Sequence, residues 1–272
     1  MPYVNSFDNT KIYYEITGDG FPLVLIIGLG GNSKAWAFQV PDFSKKYKII
    51  TIDNRGAGLS DKPDEYYSMK IFAKDIKAVL DNENIKNSYF LGLSMGGLIL
   101  QEFYHSYPEY VKAMILGCTG PGDPGLIKQN PKVKEVLFSI EEKNYDNLIK
   151  ERIKLFYHPS YLEKNSGIIE KIVELSKLQP IYAYKRQLEA CILKEDELNA
   201  PRLKNIKVPV LVIHGDEDMV WDIENAYYLH KNIPNSKIEI IKNSGHMFFI
   251  EKYEEFNKKV LSFLDFIDNL NL

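Results

Sequence analysis

Tyr89-Phe90-Leu91-Gly92-Leu93-Ser94-Met95-Gly96-Gly97-Leu98-Ile99-Leu100 decides the fold of this chain. It begins as an apolar, strand-like run, turns through Gly92-Leu93-Ser94-Met95-Gly96 and continues as a helix-like run. A serine held between glycines at a strand-to-helix junction is the G-x-S-x-G pattern, whose sharp turn pushes the hydroxyl out of the backbone as a nucleophile. Gly92 and Gly96 carry no Cβ, so strand and helix can approach closely there. The helix opens just after Ser94, which aims its free N–H groups and positive dipole end at charge forming nearby. The plainer reading is a glycine-rich turn whose serine caps a helix. A base and an acid downstream, in the right order, would weigh against it.

Outward from this stretch, strands and helices alternate. Two short runs at 3–7 and 11–17, split by Asp8-Asn9-Thr10, read as a hairpin. Leu23–Ile27 and Lys48–Ile52 are continuously apolar or nearly so, as in strands buried on both faces. The first ends in Gly28-Leu29-Gly30-Gly31, with a short helix expected near Trp36. The second ends in Asp53-Asn54-Arg55-Gly56-Ala57-Gly58-Leu59-Ser60. Apolar positions 72, 76, 79 and 80 recur at helical spacing, and Val111–Leu116 is one more strand. This alternation predicts an α/β fold with a mostly parallel sheet and helices on both faces.

The pattern then changes. Gly120-Pro121-Gly122-Asp123-Pro124-Gly125 breaks it, and no strand reads convincingly as far as Pro201. Helical stretches are expected near 131–143, 144–157, 165–178 and 181–195. Residues 121–200 therefore read as a helical cap inserted into a core made of 1–120 and 201–272. A strand resumes at 208–213, then a helix near 222–232, a strand at 237–241 and a last helix from about 251 to 268.

With 272 residues, 45% hydrophobic and 26% charged, the chain can bury a sizeable core. A net charge of −3 without blocks of like charge gives no footprint for nucleic acid. Cys118 and Cys191 lack metal or disulfide spacing. Neither a leader-like start nor a membrane-length apolar run is visible, so the expectation is a cytoplasmic protein without membrane partner, cofactor or metal.

Of five histidines, His246 alone follows a strand and the break Asn243-Ser244-Gly245, on a loop that can reach the strand ends. It is the expected general base, since a base needs neutral imidazole near working pH. His105, His158 and His230 sit in helical or helix-end contexts, and His214 ends a strand and orders the loop beside it. That loop carries Asp216, Glu217 and Asp218, of which spacing favours Asp218, then Asp216; Asp123 is a third option, and a merely solvated turn the plain one. The order Ser, Asp, His is that of a G-x-S-x-G hydrolase. An oxyanion hole needs two backbone N–H groups, expected from Met95 and from Leu29 of the glycine loop.

Together these residues resemble the α/β-hydrolase superfamily over essentially the whole chain. The landmarks are Gly28–Gly31, Asp53–Ser60, Gly92–Gly97, His214-Gly215-Asp216-Glu217-Asp218 and Gly245-His246. Within it the chain looks like the esterase group that includes 3-oxoadipate enol-lactonases and cofactor-free haloperoxidases. The resemblance implies an eight-stranded sheet, a cap after the sixth strand and the triad Ser94, Asp218, His246. It also implies a carboxylesterase-type reaction on a small-molecule ester or lactone. Gly28, Gly30 and Trp221 are substrate-side candidates, although Trp221 fits a core or cap contact as well.

Two departures stand out. Ile27 occupies a place often held by His, so the sequence does not say what orders the glycine loop. Trp221 replaces a proline common three residues past the acid. Competing readings are weaker. Dinucleotide binding would want glycine where Ser33 stands. Haloalkane dehalogenases and epoxide hydrolases use an aspartate in place of Ser94, and proline iminopeptidases typically have Trp where Met95 stands. C–C bond hydrolases share the triad, and a non-catalytic ligand-binding protein would keep the fold. The oligomeric state is not legible.

Overall fold

A computed structural model describes residues 2–122, 131–139, 145–176, 179–192 and 199–270. Eight strands form one sheet: β1 (Tyr3–Asn5), β2 (Lys11–Thr17), β3 (Phe21–Ile26), β4 (Tyr47–Ile52), β5 (Ser88–Leu93), β6 (Val111–Gly117), β7 (Val210–Gly215) and β8 (Ser236–Ile241). Their order is β1-β2-β4-β3-β5-β6-β7-β8. β1 pairs antiparallel with β2 and β2 with β4; all other pairs are parallel. This is the eight-stranded, mostly parallel α/β sheet expected.

The apolar strands are buried on both faces because helices cover both. Along β3, Val24 and Ile26 face one core while Leu23 and Leu25 face the other. The first core takes α2 (Met69–Asn82), α3 (Met95–Ser106) and α9 (Glu224–Asn232). The second takes Trp36, Phe43 of α1 (Val40–Phe43), and α11 (Tyr253–Asn269) through Phe256, Val260, Phe263 and Leu264. α2 illustrates the sequence rule: Ser68 caps it by accepting from the Ile71 N–H, and Phe72, Ile76, Val79 and Leu80 are all buried.

The chain leaves β3 outward to β4 and then returns to β5 on the other side of β3. The carboxyl ends of β3 and β5 thus flank a point where strand order reverses, and in open α/β sheets the ligand crevice lies there. Ile26 pairs with Gly92 at that edge, so the glycine loop and the Ser94 turn leave the sheet side by side. Gly96 is needed for the junction, since a Cβ on it would stand 2.2 Å from the Ile26 carbonyl oxygen.

Between β6 and β7 the described residues contain no strand, only α4 (Pro131–Phe138), α5 (Tyr145–Phe156), α6 (Pro159–Lys164), α7 (Ile168–Ser176) and α8 (Ile181–Ala190). α6 was not legible in advance, because its cap is unusual: the His158 ring accepts from the Ser160 N–H, with Pro159 opening the helix. A 3₁₀ segment, Ala200–Asn205, leads back to the sheet. The expected last helix is α11, and a short α10 (Phe248–Glu251) precedes it, separated at Lys252, whose φ is −130°. No helix among the described residues is long and apolar enough to cross a membrane.

Candidate active site

Ser94 sits between β5 and α3 with φ +56° and ψ −121°, a conformation a non-glycine residue adopts only where its surroundings impose it. They do so here. The Ser94 N–H donates to the Gly117 carbonyl, and its carbonyl accepts from the Gly97 N–H and the Thr119 hydroxyl. The serine does not cap α3 with its side chain, so the plain capping reading fails and the half-buried hydroxyl remains available. Gly28 lies against it: a Cβ there would be 2.9 Å from Ser94 Cβ and 3.3 Å from Oγ.

β7 and β8 deliver the other two groups to the same edge. His246 Nδ1 is 2.8 Å from Asp218 Oδ2, with both side chains buried. The other oxygen of Asp218 accepts from the Val220 and Trp221 N–H groups at 2.8 and 3.0 Å. His214 Nε2 stands 3.3 Å from Oδ2 and 2.8 Å from the Trp221 carbonyl, so it does order the acid loop. Burial pushes the Asp218 carboxyl up, yet His246 and His214 outweigh it and hold the group well below the usual carboxylate range. The Trp221 N–H bond is one that a proline could not make. Its ring packs toward Gly120, where a Cβ would be 2.8 Å from Cζ3.

The neighbouring acids are occupied elsewhere. Asp216 accepts from the Ser244 N–H and pairs with Lys242. Glu217 faces His158 at 3.2 Å. Asp123 lies outside the described residues. Among the remaining histidines, His105 is half-buried in α3, where desolvation and then Arg202 depress its pKa to about 4, and His230 bonds Ser236.

Ser94 and the Asp218–His246 pair are brought to one edge without a Ser94–His246 hydrogen bond among the described residues. Such bonds are often long in an unliganded site and tighten with substrate. Burial pushes the thiol of Cys118, just after β6, well up, and the Asp218 carboxylate adds to the effect. The two oxyanion candidates are placed as follows. Met95 is the first residue of α3, where N–H groups have no partner inside the helix. Leu29 is in the Gly28–Gly31 turn, and none of the described backbone bonds uses its N–H.

Two features escaped the sequence reading. Phe156 of α5 stands edge-on to the His246 ring, centroids 5.0 Å apart. Glu251 accepts from the Gly245 N–H with one oxygen and from the His158 N–H with the other, both at 3.0 Å. Burial raises its pKa. One carboxylate thereby ties the His246 loop to the inserted helices. Glu251→Ala is expected to lower stability by about 2–3 kcal/mol through loss of two charge-assisted bonds. It should also slow turnover about tenfold by freeing the His246 loop, since small misplacements of a reacting group cost that much or more. Thermal melts and kcat on the same preparation check both.

The alpha/beta hydrolase fold model matches residues 22–149 and 158–253. The AB hydrolase superfamily protein YisY of Bacillus subtilis is 28% identical over 272 residues, 96% of this chain and 98% of that one. The 3-oxoadipate enol-lactonase 2 of Acinetobacter baylyi is 28% identical over 240 residues, covering 88% and 86%. A solved N-acyl homoserine lactone degrading enzyme is 28% identical with a TM-score of 0.83, covering 96% of this chain and 100% of that chain.

Proposed function

Because this chain belongs to the α/β hydrolase fold family, we propose that it hydrolyses a carboxylic ester or lactone of a small to medium, mainly apolar molecule through a Ser94-His246-Asp218 triad. The observation that carries the reading is the buried 2.8 Å Asp218–His246 bond, at the strand edge where Ser94 is held in its strained turn. His246 takes the Ser94 proton as the hydroxyl attacks the carbonyl. Asp218 fixes the ring with its proton on Nδ1 and stabilises the imidazolium. The Leu29 and Met95 N–H groups hold the oxyanion. Collapse expels the alcohol, which takes its proton from His246; water, activated by the same histidine, then releases the acid. In a lactone the expelled hydroxyl stays attached to the acyl chain.

The inserted helices act as a cap in this reading. Phe156 against His246 supports it, as does Tyr184, which a Cβ on Gly30 would approach to 3.4 Å. Of the other cap aromatics, Tyr157 and Tyr161 stack on each other in a cluster that the inserted helices share with Met247 and Ile250, and Phe138 and Tyr182 are exposed. Tyr145's side chain lies outside the described residues. Similarity to an enol-lactonase and to an enzyme degrading acyl homoserine lactones supports ester-type cleavage.

The test is a panel of p-nitrophenyl esters, lactones, aminoacyl amides and β-diketones, run beside a serine-directed phosphonate. Turnover of an ester or lactone, blocked by the phosphonate, is expected. Turnover of β-diketones alone would replace the reading by C–C cleavage, and inertness to the whole panel and to the phosphonate would favour a ligand-binding protein.

A further inference from the structure

Gln187, in α8 of the inserted helices, is fully buried. A buried amide has to find partners for both its ends, and those of Gln187 lie on loops far from it in sequence. Its Oε1 accepts from the Gly30 N–H at 3.0 Å, and its Nε2 donates to the Arg55 carbonyl at 2.8 Å. Gln179 stands beside it, donating to the Gly56 carbonyl at 2.8 Å and to Gln187 Oε1 at 3.3 Å.

The loop it grips is the one that offers Leu29. The Gly31 N–H bonds the Gly28 carbonyl at 3.1 Å, and Gly30 has φ +72°, so residues 28–31 form a type II turn with glycine at its third position. Three successive peptide planes are fixed there, each by a different group. Asn54 donates to the Ile27 carbonyl at 2.9 Å. Gly31 holds the Gly28 carbonyl, which shares its plane with the Leu29 N–H. Gln187 holds the Gly30 N–H, in the central plane of the turn. That central plane is the one whose rotation separates type II from type I. Ile27 brings no polar side chain to this loop, so the central plane is held from the insertion.

We infer that Gln187 is a positioning residue for the oxyanion hole: by accepting the Gly30 N–H and donating to Arg55, it locks the Gly28–Gly31 turn so that the Leu29 N–H points at the developing oxyanion. This rests on the serine-hydrolase reading above. Its consequence is that docking of the inserted helices and completion of the oxyanion hole are one event. A chain with the insertion displaced loses the ordered Leu29 donor.

The decisive variant is Gln187→Met, which keeps the volume and removes both hydrogen bonds. Assayed as the full chain on p-nitrophenyl butyrate, it is expected to lose kcat by about 10- to 100-fold, somewhat less than deletion of an oxyanion donor outright, with KM within about twofold. Inhibition by phenylboronic acid, which forms a tetrahedral anion on the serine, should weaken by a similar factor. Gln187→Glu is the second variant, for the case that the first does not fold. Its carboxyl carries a donor for Arg55 only when protonated, so the ratio of its kcat to that of the wild type should rise as pH falls. A folded Gln187→Met with wild-type kcat overturns the inference and leaves the triad reading standing; so does a rise in KM at constant kcat, or a flat Gln187→Glu ratio. A wild-type chain inert to the ester and to the phosphonate overturns both.

Discussion

Ser94→Ala is expected to lower kcat by about 10⁶, the order seen when the nucleophile of a triad is removed, while circular dichroism and melting temperature stay near wild type. The hydroxyl makes no side-chain cap on α3, and the turn is held by backbone bonds and by Thr119, so removing Oγ costs the fold little. Alanine also keeps the Cβ that the φ of +56° already accommodates. The residual rate would come from the oxyanion hole and binding alone. Turnover of the variant within tenfold of wild type would end the nucleophile assignment, and labelling by a phosphonate at any residue other than Ser94 would relocate it.

Asp218→Asn is expected to lower kcat by about 10⁴, for a reason visible in its hydrogen bonds. One oxygen of Asp218 receives two backbone N–H groups, from Val220 and Trp221. The amide oxygen of Asn must take that place, because the alternative turns donors toward donors. The amide nitrogen then faces His246 Nδ1, where Oδ2 now stands at 2.8 Å. Facing a donor, Nδ1 must accept, so the ring proton moves to Nε2, the atom that has to take the Ser94 proton. The same nitrogen also meets His214 Nε2. A kcat within tenfold of wild type would show that this carboxylate does not set the tautomer.

Stability carries a separate signature of this group. His246 and His214 hold the folded-state carboxyl below its ordinary value against the opposing effect of burial. Its ionised form therefore stabilises the fold above the unfolded value, about 3.9, and that contribution is lost as pH falls through and below it. The difference in melting temperature between wild type and Asp218→Asn should shrink as pH falls through the carboxylate range. A difference that grows in acid would contradict the depressed pKa.

The chain's own sequence determines what depends on neighbours along it. Continuous apolar runs mark strands buried on both faces, and the two cores that share β3 are the outcome. Helical spacing at 72, 76, 79 and 80 marks the buried face of α2. Glycines around Ser94 mark a turn that only close strand–helix contact explains, and they bring the strained serine with them. The order Ser94, Asp218, His246 is equally a property of the chain. Tertiary structure alone decides which of three acids within three residues meets His246, because the loop's backbone bonds leave only Asp218 turned toward the ring. It alone sets Glu251 across the Gly245 and His158 N–H groups, and Gln187 on a glycine loop 157 residues away. No periodicity announces such contacts. They arise where separate layers pack, and a buried amide or carboxylate takes whichever backbone groups that packing puts within reach.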